Sequence, residues 1–273
     1  MSPADPMLLR RTFDAVAGRY DRVRPTYDAE IFDDLAALAG LERGSRILEI
    51  GCGSGQATVA LAERGYDVTA LDLGAELAAI ARRKLGGHPN ARVVVGAFEE
   101  WALPSERFDA VVSATAFHWV DPAIRVAKSA MALRPGGCVA IIETRRFPLG
   151  DEAFLAALWE CHAAWEPDAQ PPRGPTADER AESQSEIEAS GLFGPVVWRR
   201  YDAEHRLSRE DYLELIMTFS NVLALEPARQ SGLLRCIGEL LDRQPDGGIG
   251  ELIFNFLVVA RTPDPERAAS LAG

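Results

Sequence analysis

Short apolar runs alternate with amphipathic stretches along the first half of the chain, which is the pattern of an α/β protein. The apolar runs are rich in β-branched residues and have the length of buried parallel strands; they lie at 46–50, 66–73, 91–95, 107–115 and 138–143. The stretches with an apolar stripe at helical spacing lie at 28–41, 56–63, 76–85 and 122–133. This alternation predicts a doubly wound, mostly parallel sheet with helices on its faces.

Past Thr144 the composition shifts toward helical patterns. Helices are predicted at 154–165, 177–190, 206–226 and 229–241, and a proline-rich loop at 167–175. Two further strand-like runs lie at 196–201 and 253–260. The second half is therefore predicted to add several helices and two late strands to the sheet.

A glycine turn follows the first buried strand and precedes a helix. Gly51, Gly53 and Gly55 recur at spacing two, which lets the backbone turn tightly and approach a ligand closely. A dinucleotide fingerprint GxGxxG read from Gly51 needs glycine at Gln56, and the chain lacks it. Glu49 places a carboxylate at the carboxyl end of the strand, where it would repel a pyrophosphate and attract an ammonium group.

A second carboxylate lies at the end of the next strand. Asp72 follows Gly51 by 21 positions, close to the spacing at which an acidic residue accepts hydrogen bonds from ribose hydroxyls. A carboxylate suits this task because it accepts two hydrogen bonds. The alternative is that Asp72 caps the helix that follows it.

The fourth strand leads into an aromatic segment that contains His118 and Trp119. Histidine is the side chain that most often acts as a general base near neutral pH. A tryptophan at this place could exclude water or contact a cation through its ring. The alternative is structural, with His118 capping the next helix and Trp119 packing beneath it.

The run ExGxGxG at 49–55 resembles motif I of the class I S-adenosylmethionine-dependent methyltransferases. Further matches follow in the family's order, through the acid of the second strand to the LRPGG turn at 133–137 and the strand after it. Within that class the resemblance is to the type 11 and trans-aconitate methyltransferase-like group. It implies a Rossmann-like, seven-stranded, mostly parallel sheet with a C-terminal antiparallel hairpin and a helical acceptor lid.

The resemblance also implies a set of site residues. Those expected to bind S-adenosylmethionine are Tyr20, Arg24, Glu49, Gly51, Cys52, Gly53, Asp72, Leu73, Ala97, Phe98, Glu99 and Thr115. Ala97 departs from the family, which often has an acidic residue there for the adenine amino group, so Phe98, Leu73 and Glu99 are expected to compensate. The candidate catalytic residue is His118, and those expected in the acceptor pocket are Tyr27, Trp119, Trp159 and Phe219.

Four segments are predicted along the chain. Residues 1–45 form an N-terminal lid segment and first helix, and 46–145 form the cofactor-binding core. Residues 146–262 supply the acceptor-lid helices with the last two strands, and 263–273 form a disordered tail. In this interpretation Tyr20, Arg24 and Tyr27 face the site; alternatively the two tyrosines pack the N-terminal segment on the core.

The composition of the chain limits which classes of partner it is expected to bind. The chain has 29 basic and 41 acidic residues and a net charge of −12, which disfavours nucleic acid or an anionic membrane as partner. No apolar run is long enough to span a membrane, and the N-terminus lacks a signal-peptide pattern, so we expect a cytoplasmic protein. The four cysteines form no CxxC motif and are expected to be reduced and metal-free; a homodimer is left open.

The sequence therefore predicts a methyltransferase that acts by in-line displacement on an oxygen, nitrogen or carbon nucleophile of a small molecule, with a carboxylate or a secondary metabolite among the candidates. One alternative is a protein that binds S-adenosylmethionine or S-adenosylhomocysteine without catalysis. Another is a nicotinamide-dependent oxidoreductase, against which Glu49 and the missing GxGxxG both count.

Overall fold

The structure is a computed structural model that describes residues 10, 12–166, 169–170, 181–245 and 247–264. The predicted proline-rich loop lies almost wholly outside the described residues, as does the predicted tail beyond residue 264. Within them, no helix is both long and apolar enough to cross a membrane.

Seven strands form one sheet in the order β3-β2-β1-β4-β5-β7-β6. The strands are β1 Arg46–Ile50, β2 Asp67–Asp72, β3 Ala91–Val95, β4 Phe108–Ala114, β5 Leu133–Leu149, β6 Val197–Ser208 and β7 Gly248–Arg261. Strands β1 to β5 pair in parallel, and the last two strands form the antiparallel hairpin. The predicted fold class is confirmed.

Helices connect and flank these strands. They are α1 Ala17–Val23, α2 Ala29–Ala39, α3 Gln56–Glu63, α4 Ala75–Lys84, α5 Arg125–Ala132, α6 Glu152–Trp165, α7 Glu182–Ser190, α8 Arg209–Ile216, α9 Ser220–Leu223 and α10 Pro227–Leu241. Short 3₁₀ turns occupy Asp14–Val16, Leu85–Gly87 and Phe117–Trp119. The predicted helix at 56–63 has the observed bounds, since its glycine turn and stop signal are local features of the sequence.

The chain divides into two compact units, each built from three segments. The Rossmann unit comprises Pro25–Glu143, Arg180–Tyr201 and Asn255–Gly273, and it contains β1 to β4. The helical unit comprises Met1–Arg24, Thr144–Glu179 and Asp202–Phe254, and it contains α6, α8 and α10. The predicted four-segment division stays a prediction.

The core of the Rossmann unit is continuous around β1. Strand β1 pairs on both sides, with β2 and β4, and its residues Ile47 and Leu48 are fully buried. Helix α2 buries Ile31, Phe32 and Leu35 in the same core, as its apolar stripe predicted. This packing holds the carboxyl end of β1, where the glycine turn begins.

Several predicted boundaries differ from the structure, and two of the differences have a local cause. The predicted helix at 206–226 is interrupted, because β6 continues to Ser208 and α8 ends at Ile216. The Ser208 hydroxyl accepts a hydrogen bond from the amide of Asp211 at 3.0 Å and so begins α8 as a capping residue. The LRPGG segment lies within β5 as a bulge, since Phe108 pairs with Leu133 and Ala110 with Cys138.

The expectation of four reduced cysteines is wrong. Cys161 on α6 and Cys236 on α10 form a disulfide with a Cα–Cα distance of 5.7 Å, and Cys52 and Cys138 are free and buried. The bonded pair is 75 residues apart in sequence, and its contact depends on how α6 and α10 pack in the helical unit. No local spacing rule could indicate this pairing.

Candidate functional site

The glycine turn after β1 requires glycine for steric reasons. Gly51, Gly53 and Gly55 have φ of 71°, 56° and 90°, in the left-handed region that side chains disfavour. A Cβ atom on Gly51 would lie 2.4 Å from the Cβ atom of Ala116. The turn therefore stays bare at the carboxyl ends of β1 and β4, where ligands bind in doubly wound sheets.

Glu49 is a buried carboxylate directly before this turn. Its residue is 1% exposed, and its Oε2 atom has no hydrogen-bond partner among the described residues. Burial is the main cause that raises the pKa of Glu49 to about 7; the Thr58 side chain opposes this rise, and the negative charge of Asp72 adds to it. A buried acceptor of this kind is suited to a cationic donor that comes with a ligand.

Asp72 connects β2 to the same turn. Its Oδ2 atom accepts a hydrogen bond from the amide of Gly53 at 2.7 Å, and Oδ1 accepts one from the amide of Gly74 at 2.8 Å. Gly74 is the N-cap residue of α4, so the predicted capping alternative describes part of what Asp72 does. The ribose role of Asp72 stays a prediction.

The residues expected near the adenine ring follow β3. Phe98 is 3% exposed, and the Lys128 ammonium lies 5.4 Å from its ring centroid. The Glu99 Oε1 atom accepts a hydrogen bond from the amide of Asp121 at 3.1 Å. Ala97 and Leu73 are half-buried. Glu99 is thus already used to hold the segment before α5, and the adenine contacts stay a prediction.

Thr115 ends β4 in a strained conformation. It has φ of 54°, and it is the only residue other than glycine with positive φ in the described part of the chain. Its amide donates to the carbonyl of Ile142 at 2.7 Å, and its hydroxyl lies 2.9 Å from that of Tyr27. Non-glycine residues in this region concentrate at functional sites.

His118 and Trp119 lie on the 3₁₀ turn after Thr115, with ring centroids 4.7 Å apart. His118 is exposed, and partial burial of its ring lowers its pKa from the ordinary value, with Glu143 opposing the shift and Arg125 adding to it. The turn before α5 is capped by Asp121, whose Oδ1 atom accepts from the amide of Ala123 at 2.8 Å. The N-cap residue of α5 is Ile124, and no described side chain makes a cap hydrogen bond there.

Glu143 was not among the site residues predicted from the sequence. Its negative charge acts on His118 and opposes the lowering of the His118 pKa. Its two carboxylate oxygens accept hydrogen bonds from the amides of Ser183 at 2.8 Å and Glu182 at 3.0 Å, at the start of α7. Arg125 makes an ion pair with Glu186 one turn further along α7, at 2.7 Å. The available signal was the position of Glu143 at the end of an apolar run, as for Glu49.

The helical unit contains the other predicted residues. The Arg24 guanidinium lies over the rings of Tyr20 and Phe219, at 5.0 and 5.3 Å from their centroids. Arg24 also donates hydrogen bonds to the hydroxyl and carbonyl of Thr218 at 3.1 and 2.9 Å. Phe219 and Trp159 line a common cavity of about 1100 Å³. The predicted roles of these residues stay predictions.

The structure thus divides the predicted site residues between the two units. Those in the Rossmann unit are Tyr27, Glu49, Gly51, Cys52, Gly53, Asp72, Leu73, Ala97, Phe98, Glu99, Thr115, His118 and Trp119. Those in the helical unit are Tyr20, Arg24, Trp159 and Phe219. In the first group, the glycine turn, Glu49 and Asp72 are brought together at adjoining ends of β1 and β2.

Comparisons with known proteins identify the family of this chain. A sequence profile of the methyltransferase domain matches residues 47–137. An uncharacterized methyltransferase from Geobacillus kaustophilus is 31% identical over 160 residues, which are 55% of this chain and 73% of that protein. An uncharacterized methyltransferase from Mycobacterium tuberculosis is 38% identical over 135 residues, which are 50% of this chain and 53% of that protein. The chain thus spans about half the length of this second relative.

A solved structure from Anaeromyxobacter dehalogenans, which carries the provisional assignment of a type II methyltransferase, is similar over a longer range. It superposes with a TM-score of 0.63 and 26% identity, covering 88% of this chain and 99% of that one. The similarity therefore extends beyond the segment matched by the domain profile, into the second half of the chain.

Proposed function

This chain belongs to the class I S-adenosylmethionine-dependent methyltransferases, and we propose that it transfers a methyl group to a small-molecule acceptor. The observation that carries the proposal is the buried carboxylate of Glu49, whose Oε2 atom lacks a partner among the described residues. It lies beside a glycine turn that no side chain can fill. These residues fit a cofactor that presents an ammonium group, because a buried carboxylate gains most from a charged donor.

The residues that would hold the cofactor have distinct tasks. Glu49 accepts from the ammonium group, the glycine turn lets the backbone approach, and Asp72 accepts from the ribose hydroxyls. S-adenosylmethionine, when bound, supplies a methyl group on a positively charged sulfur that is already a good leaving group. The task of the chain is therefore to orient the acceptor in line with that methyl group and to exclude water, as positioning alone contributes up to roughly 7–11 kcal/mol in ideal cases.

His118 is proposed as the residue that accepts a proton from the acceptor. Its lowered pKa favours the neutral imidazole at pH 7, which is the form that acts as a base. Oxygen and protonated nitrogen acceptors need such a base, whereas an acceptor that is already an anion does not. The net charge of −12 makes a nucleic-acid acceptor a poor candidate.

The proposal is tested by calorimetric titration with S-adenosylhomocysteine, with NAD as the control ligand. We expect micromolar binding of the first, on the order of −8 kcal/mol, and no binding of NAD. Binding of NAD alone would instead support the oxidoreductase alternative. A protein that binds the cofactor product but methylates no member of an amine, phenol and carboxylic-acid panel would be a non-catalytic binder.

A further inference from the structure

The helical unit contains a half-open cavity that is separate from the predicted cofactor-binding residues of the Rossmann unit. Its volume is about 1100 Å³, which matches or exceeds the size of typical small-molecule sites. The walls come from β5, α6 and β7 and from the segment that follows α8. All of the lining residues belong to one unit, so the cavity is a feature of that unit's own packing.

Aromatic rings form much of the apolar wall. Phe147, Trp159 and Phe219 line the cavity, and Phe147 contacts Phe254 with ring centroids 5.4 Å apart. Arg24 lies over Phe219 and is held by Thr218, which restricts how this ring can move. Faces of aromatic rings attract cations as well as apolar groups.

Among the described residues that line the cavity, carboxylates outnumber arginine and lysine side chains. Among the described lining residues, Arg146 is the only arginine or lysine, whereas Glu152, Glu166 and Glu251 are carboxylates. Arg146 donates from Nε and Nη2 to the Oε2 atom of Glu251, at 3.1 and 2.6 Å, and both side chains are nearly buried. The two charges neutralise each other. An anionic ligand that paired with Arg146 would leave Glu251 as a buried charge without a partner, which is costly.

Two lining carboxylates, Glu152 and Glu166, have no arginine or lysine partner in that lining, and Glu166 is the buried one of the two. Its residue is 5% exposed, one oxygen accepts from the Asn221 amide, and the other meets the Nδ1 atom of His162. These partners orient the carboxylate, and neither of them is an arginine or a lysine. A ligand that brings its own positive charge would compensate that charge.

We infer that this cavity binds an organic amine, meaning an apolar or aromatic body with a cationic nitrogen, and that it disfavours carboxylates and phosphates. The aromatic wall receives the apolar body, and Glu166 pairs with the ammonium group. The identification of this ligand as the methyl acceptor rests on the proposed function, and the accepting atom would have to carry a free lone pair, which the nitrogen lacks while it is an ammonium group paired with Glu166.

The test uses three probes with one skeleton and different charge: biphenylmethylamine, biphenylmethanol and biphenylcarboxylate, each substituted at the para position. Their affinities for the full chain are measured by calorimetry at pH 7. We expect the amine to bind at least about tenfold more tightly than the alcohol, and the carboxylate to bind most weakly. Equal affinities for the amine and the alcohol, or tightest binding of the carboxylate, would overturn the inference.

Three variants test which side chains cause the preference for the amine and the binding of the apolar body. Glu166→Gln keeps the shape and the hydrogen-bond acceptor but removes the charge, so the preference for the amine over the alcohol should fall to within about twofold. Glu160→Gln removes a carboxylate from an exposed position on α6, the helix that ends just before Glu166, and should leave the preference unchanged. Trp159→Ala should weaken all three probes together. Retained amine preference in Glu166→Gln would assign the charge effect to another group and contradict the role of Glu166.

Titration with S-adenosylhomocysteine in parallel separates this inference from the proposed function. Binding of S-adenosylhomocysteine without an amine preference overturns the cavity assignment alone. An amine preference without binding of S-adenosylhomocysteine overturns the proposed function and leaves the cavity assignment standing.

Discussion

The hydroxyl of Tyr27 lies 2.9 Å from the Oγ1 atom of Thr115, and this contact joins the segment before α2 to the end of β4. Thr115 holds a positive φ of 54° there, which costs a β-branched residue on the order of 1–3 kcal/mol. A conformation of that cost persists when neighbouring contacts fix it. Tyr27 and the carbonyl of Ile142 are two such contacts.

A double-mutant cycle measures the contact between Tyr27 and Thr115. Tyr27→Phe and Thr115→Val should each lower the free energy of unfolding by about 1 kcal/mol, because each removes one partner of a half-buried hydrogen bond. The double variant should lose little more than either single variant, which corresponds to a coupling of about 1 kcal/mol. Guanidinium unfolding gives the three values, and additive losses would show that the two hydroxyls do not interact.

Glu49 should make cofactor binding depend on pH. Burial raises the pKa of Glu49 to about 7, so the carboxylate needed by the ammonium group becomes populated as the pH rises through that value. Affinity for S-adenosylhomocysteine should increase up to about tenfold between pH 6 and pH 8. Glu49→Gln should bind weakly with a flat profile, and the exposed Glu63→Gln should behave like the wild type. A flat wild-type profile would contradict this role.

The same shift predicts how Glu49 affects stability. Its pKa in the folded chain is above the ordinary value of 4.5, so the folded state binds the proton more tightly than the unfolded state. Its favourable contribution is present below about pH 4.5 and is lost as the pH rises through about 7. Relative to the wild type, Glu49→Gln should therefore gain stability from pH 5 to pH 8, as measured by denaturant unfolding.

Asp72 tests the ribose assignment together with the geometry of the turn. Asp72→Ala removes the acceptor for the amides of Gly53 and Gly74, and should weaken S-adenosylhomocysteine binding by at least about tenfold. Asp72→Asn should be nearly as damaging, because its amide group would face one of these donors. Asp67→Ala, at the exposed start of the same strand, is the matched control. Unchanged affinity in Asp72→Ala would refute the assignment.

His118 should affect turnover more than binding. His118→Ala is expected to lower kcat by about 10²-fold while S-adenosylhomocysteine affinity changes little, as for loss of a general base. Because the pKa of His118 is lowered, the fall in wild-type kcat with decreasing pH should begin at a lower pH than an ordinary histidine would give. His88→Ala is the control, since His88 lies on the turn after α4. Equal kcat for His118→Ala and wild type at every pH would return His118 to a structural role.

The disulfide should contribute to stability. Thiol titration of the denatured chain should find two reactive cysteines before reduction and four afterwards. Reduction should lower the free energy of unfolding by about 2–4 kcal/mol, because a long loop is released in the unfolded state. The variant with Cys161→Ala and Cys236→Ala serves as the control, in which a reductant should change nothing. Four reactive thiols before reduction would contradict the bond.

Local features of the sequence predicted the elements that hold the site. The strand at 46–50 and the helix at 56–63 were predicted with their observed bounds, and the glycines between them have the positive φ that this turn needs. Strand periodicity, the conformational freedom of glycine and the spacing from Gly51 to Asp72 act over short stretches of chain. These features can therefore be predicted without the tertiary structure, and so can the family resemblance that depends on them.

Packing decided the rest. The sequence placed Glu49 at a strand end, but its burial and unpartnered oxygen depend on β2 and β4 lying on either side. The contacts between Tyr27 and Thr115 and between Cys161 and Cys236 join segments 88 and 75 residues apart. Contacts at such separation arise only when the whole core forms, so no local pattern encodes them. Hence the sequence alone determined the fold class and the cofactor-binding turn, and the tertiary structure decided which side chains are buried, strained or bonded around it.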